Sequence, residues 1–89
     1  MDIKLPDLTI QPGWTAESQL IKIAEELDEV REAVANNDPV NTIRELLDTI
    51  QTCHTAIAMV LIDWDMGIDR FMQEHQAKLI RKGYMEVNA

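Results

Sequence analysis

The tetrad Asn36-Asn37-Asp38-Pro39 constrains this chain more than any other feature. It interrupts two long stretches whose apolar residues recur at helical spacing. Its asparagines and aspartate favour turns, and its proline suits the first position of a new helix. Two amphipathic helices joined by so short a break fold back on one another. Counting outward from the break, Glu29 falls level with Glu45 and Glu26 with Asp48, each within about one residue, or ~1.5 Å of rise. Glu26-x-x-Glu29 and Glu45-x-x-Asp48 each span one turn, so each pair shares a helix surface. Four carboxylates at one level of a hairpin repel each other unless a cation lies among them.

The expected fold class is all-α, with three main helices per chain. The first runs from about Ala16 to Asn36, after a Pro12-Gly13 turn and with Thr15 as N-cap. Its apolar stripe is Leu20, Ile23, Ala24, Leu27, Val30 and Val34. The second begins at Pro39 behind the N-cap Asp38 and continues to about Trp64, where Gly67 breaks the pattern. Ile43, Leu46, Leu47, Ile50, Cys53 and Ile57 form its stripe. The third covers about Ile68 to Lys82, with Phe71, Met72, His75 and Leu79 on one side and Gly83 as its stop. Residues 1–15 read as an extended arm whose Leu5, Leu8 and Ile10 pack on the bundle, and residues 16–89 as one helical domain. From Ala56 to Ile62 apolar side chains point in nearly every direction, which requires more neighbours than one chain supplies. A helical bundle completed by oligomerisation, as a homodimer or homotetramer, is therefore expected.

Charge and composition exclude several function classes. Sixteen acidic residues against eight basic ones give a net charge of −8, a field that repels nucleic-acid backbones. No apolar run is long enough for a membrane span, and the first residues do not read as a signal peptide. The lone Cys53 has no internal disulfide partner and falls on the second helix's apolar stripe, where packing is its simplest role. A soluble, cytoplasmic protein with no membrane or nucleic-acid partner is the expectation.

The acidic pairs admit two readings. Glutamates at this spacing are ordinary on solvated helix faces. On a helical wheel the first pair lies roughly 110° from the centre of its apolar stripe and the second about 170° from its own. The simplest packing of stripe on stripe therefore points the acids away from the seam. Yet the acidic side of the second helix continues through Thr52, Ala56 and Met59, which suits a cleft between helices. Carboxylate oxygens are the ligands that Mg²⁺ prefers. A bundle-type di-iron site needs Glu-x-x-His, which neither His54 nor His75 completes.

The string Glu25-Glu26-Leu27-Asp28-Glu29, followed about fifteen residues later by Glu45-Leu46-Leu47-Asp48, resembles the EExxE…ExxD signature of the MazG-like all-α nucleoside triphosphate pyrophosphohydrolases. Trp14, Gln19-Leu20 and the tail from His75 to Tyr84 are similar to the flanks of compact members. The resemblance implies Mg²⁺-dependent (or Mn²⁺-dependent) cleavage of a nucleoside triphosphate, typically a dNTP, to monophosphate and pyrophosphate. It implies Glu26, Glu29, Glu45 and Asp48 as metal ligands, Glu25 either as a support for the site or to orient water, and Lys78, with Arg81 less firmly placed, as phosphate contacts. Two rivals are a non-enzymatic helical dimer serving as an interaction module, and phosphoribosyl-ATP pyrophosphatase activity. The latter ranks low for want of an obvious extra phosphate-binding loop.

Overall fold

The computed structural model describes residues 1–87; the last two residues of the expected 16–89 domain lie outside the described residues. Three helices follow in order, α1 (Ala16–Ala35), α2 (Pro39–Asp63) and α3 (Asp69–Arg81), with no strand among the described residues. The protein is all-α. None of its helices is long and apolar enough to cross a membrane.

Local chemistry sets the helix ends. Thr15 and Ser18 form a reciprocal capping box: Thr15 Oγ1 accepts from the Ser18 N–H at 3.0 Å, and Ser18 Oγ accepts from the Thr15 N–H at 2.9 Å. Asp38 caps α2 by accepting from the Asn41 N–H at 3.0 Å, with Pro39 in the first turn. All three helices finish in the same way, with one residue in the left-handed region and a pair of backwards backbone bonds. At the end of α1 that residue is Asn37 (φ 54°), and the Asp38 N–H reaches the Ala33 carbonyl. At the end of α2 it is Asp65 (φ 51°), and the Met66 N–H reaches Leu61. Gly83 (φ 76°) plays the part for α3. α2 thus ends where expected, with Trp64 as its C-cap, and Asp65 rather than a glycine takes the left-handed position.

The packing departs further. α1 and α2 form the hairpin, and they close on the side that carries the acids. The buried residues are Gln19 and Ala33 of α1 and Thr49, Thr52, Thr55 and Met59 of α2. Much of the expected stripe of α2 faces outward, with Ile43 59% and Ile57 51% exposed, while Ile50 and Cys53 are half-buried; of the α1 stripe, Leu20, Leu27 and Val34 are exposed and Ile23 and Val30 half-buried. The reason is steric and polar together. Threonine and alanine let the two backbones approach, and each buried threonine hydroxyl donates to the carbonyl four residues back in its own helix (Glu45, Asp48 and Gln51 respectively). A polar seam is thereby closed without stranded hydroxyls.

α3 stands apart, with no Cα within 8 Å of one in α1 or α2. Phe71, Leu79 and Ile80 are half-buried, whereas Met72 and His75 of the expected apolar side are exposed. Between the start of α1, the end of α2 and the start of α3 runs an apolar trough of about 500 Å³, lined by Leu20, Ile57, Val60, Ile68 and Phe71 among others. The arm lies along α2: Gln51 Nε2 donates to the Pro6 carbonyl at 3.0 Å, and Asp7 faces His54 at 3.9 Å. Leu5 is half-buried there, while Leu8 and Ile10 keep much of their surface open.

Candidate metal centre

The antiparallel hairpin brings carboxylates from two helices into one place. Glu26 and Glu29 project from the middle of α1 and Glu45 from the second turn of α2. One oxygen from each lies within 4.8 Å of the other two. Glu26 and Glu45 are half-buried and Glu29 is exposed, so the group occupies the mouth of the seam. Asp48, one turn beyond Glu45, is exposed and outside that trio. Its charge nevertheless acts on both Glu26 and Glu45.

Electrostatics record the crowding. Burial, followed by the Asp48 and Glu29 charges, raises the pKa of Glu26 above the ordinary glutamate value, and Lys22 opposes this weakly. For Glu45 the largest cause is a hydrogen bond with Glu29, available only while one of the two keeps its proton. Partial burial and the Glu29, Asp48 and Glu26 charges push the same way. Crowding of like charges at the mouth of the seam thus adds to the rise in both Glu26 and Glu45.

One atom has a further bearing. Glu45 Oε2 is sealed from solvent and has no hydrogen-bond partner. An ionised carboxylate oxygen is an acceptor only, and hiding one unpaired is costly. A cation at the centre of the trio would satisfy it. Hard oxygen donors from facing helices, with one side open to solvent and to further ligands, fit a small divalent ion such as Mg²⁺.

The other expected site residues lie elsewhere. Glu25 is exposed beside Glu26 and is the weakest of the charges acting on it. Lys78 and Arg81 are exposed in the last turn of α3. α3 meets α1 and α2 only across the apolar trough at its start, and among the described residues no hydrogen bond or ion pair ties Lys78 or Arg81 to the acids. The seam itself holds residues that spacing alone did not single out as part of a site: Gln19, seven positions before Glu26, and Thr49, one turn after Glu45. Recurrence every seven residues through Gln19, Glu26 and Ala33 was the available signal.

The family model described as phosphoribosyl-ATP pyrophosphohydrolase matches residues 9–75, well over half of the chain. The matched stretch includes all of α1 and α2 and both acidic pairs. No curated protein and no solved structure matches the chain.

Proposed function

Because the chain belongs to the phosphoribosyl-ATP pyrophosphohydrolase family, a family of nucleotide pyrophosphohydrolases with the MazG-like all-α fold, we propose that it hydrolyses a nucleoside triphosphate, with dNTPs as the first candidates, to monophosphate and pyrophosphate. The observation that carries this reading is the convergence of Glu26, Glu29 and Glu45 around a sealed, unpaired carboxylate oxygen. Glu26, Glu29, Glu45 and Asp48 would hold Mg²⁺, or Mn²⁺ in its place. The ion supplies neutralisation of phosphate charge and a more acidic water.

The remaining work falls to the chain. Phosphoryl transfer asks for positioning and charge compensation more than for a protein nucleophile. Water attacks the α-phosphorus, the bond from that phosphorus to the bridging oxygen breaks, and pyrophosphate leaves with the electron pair. Glu25, exposed beside the trio, is suited to orient that water and take its proton. Lys78 and Arg81 would contact the phosphates from an α3 that packs on another copy. The exposed apolar faces of α1 and α2 support such a homo-oligomer, dimeric or tetrameric.

A second substrate has its own support: the matching family model carries the name of phosphoribosyl-ATP. Both substrates present the same triphosphate to the acids and differ at the sugar 2′ position and at the base, where phosphoribosyl-ATP carries a further ribose phosphate. Pyrophosphate release should therefore be assayed from the four dNTPs, ATP and phosphoribosyl-ATP, each with Mg²⁺, Mn²⁺ or EDTA. Release is expected only with a divalent ion, and Glu45→Ala or Asp48→Ala should abolish it while helicity persists. Silence across the whole panel, or full activity in both variants, would sink the reading.

A further inference from the structure

We propose that the side-chain amide of Gln19 reads the base of the nucleotide held at the acidic centre, an inference that rests on the pyrophosphohydrolase reading of that centre. Gln19 is only 4% exposed. A primary amide brings two donors and an acceptor oxygen, and burying them unpaired is unfavourable. The hydroxyl protons of Ser18 and of the seam threonines are used elsewhere. Ser18 Oγ donates to the Thr15 carbonyl and accepts from the Thr15 N–H, and Thr49, Thr52 and Thr55 donate to carbonyls of their own helix. No hydrogen bond ties the Gln19 side chain to any described residue. Nor is its amide sealed, since the sealed and unpartnered side-chain atom among the described residues is Glu45 Oε2. The amide therefore keeps a narrow opening.

Its position supplies the rest. Gln19 and Glu26 are two turns apart on one side of α1, about 10.5 Å along the axis. That side is closed against α2, so the amide and the acids share one seam. The offset matches the reach from the phosphates to the base edge of an extended nucleotide. An amide with donor and acceptor side by side complements a base edge presenting the opposite pair. A site that holds an unpaired polar group for its ligand discriminates strongly against ligands unable to pair with it.

The test compares the unaltered full chain with Gln19→Met and Gln19→Glu. For each, kcat/KM for pyrophosphate release is measured across the four dNTPs, ATP and phosphoribosyl-ATP with Mg²⁺, beside a melting curve. The unaltered chain should favour one base. Gln19→Met should compress the spread between best and worst substrate by ~10-fold or more, chiefly through KM. Its Tm should hold or rise, because an unpaired buried amide has been replaced by an apolar side chain of similar volume. Gln19→Glu, which loses the donor, should reorder the preferences. Unchanged ratios in Gln19→Met, or equal rates on every base in the unaltered chain, would overturn the assignment. So would a Gln19→Met protein that melts several degrees lower or fails to fold, since the amide would then be structural. If the unaltered chain releases no pyrophosphate from any nucleotide, the pyrophosphohydrolase reading falls first. If it does release pyrophosphate and only the ratios fail to move, the base assignment alone falls.

Discussion

On one side of α2, Thr49, Thr52, Thr55 and Met59 are closed against α1, while on the other Ile43, Leu46, Leu47 and Ile57 stand open. Hydropathy alone would exchange the two. The open side has the greater apolar area, and burying it would yield the larger transfer free energy. The closed side has something the open one lacks: small side chains whose hydroxyls satisfy themselves on their own helix, next to a glutamate that faces two more. Within a single chain, the helices approach where the carboxylates meet rather than where the oil is. The open side is left exposed within the single chain.

The largest effect should come from charging the open side. Ile43→Asp combined with Leu47→Asp should reduce the mass in solution, by light scattering, to at most about half that of the unaltered assembly, and pyrophosphate release should fall with it. An unchanged mass would make that side ordinary surface and break the contrast. Next in size is the cation response of the closed side. Millimolar Mg²⁺ should raise the melting temperature of the unaltered chain by on the order of 10 °C at a hundredfold excess over the dissociation constant. Glu45→Gln should lose most of that shift; an equal shift in both proteins would place the ion elsewhere.

A smaller effect concerns protons. Glu26 and Glu45 have folded-state pKa values above the ordinary glutamate value, so the folded chain binds protons more tightly than the unfolded one. Their stabilising contribution is fully present below the usual glutamate range and is lost as pH rises through the raised values. Without divalent ions, melting should thus occur at higher temperature near about pH 5 than near about pH 7, and saturating Mg²⁺ should flatten that slope. The smallest effect belongs to the seam's own hydroxyls. Thr52→Val keeps the shape and removes one self-satisfied hydrogen bond, so urea melts should change by no more than about 1 kcal/mol. A far larger loss would mean that the hydroxyl serves more than its own helix.

Much of the architecture was readable from single residues. Thr15 and the Asp38-Pro39 pair place two helix starts, and Gly83 places an end, because capping is a local exchange of hydrogen bonds. The end of α2 was legible to within a residue as well, at about Trp64, although the left-handed residue behind it, Asp65, carried no signal of its own. The meeting of Glu26, Glu29 and Glu45 follows from counting residues either side of the break. Which side of each helix faces the other did not follow from hydropathy. Leu47 and Ile57 signal burial without saying against what, and the row Thr49, Thr52, Thr55 gives a weak apolar signal although it packs closely. The standing of α3 was equally illegible, because Phe71 and Leu79 mark an apolar side without saying that one chain covers it only by half.

The reverse bend at Asn36 to Asp38 has a consequence for how such hairpins drift. It works as an indexing joint: one inserted residue there would swing every side chain of the following rod by about 100° and lift it by ~1.5 Å. Such a chain would remain helical and carry every acid it now has, yet Glu45 would turn away from Glu26 and Glu29. An insertion that a surface loop normally absorbs without harm would here carry Thr49, Thr52 and Thr55 out of the seam together with Glu45.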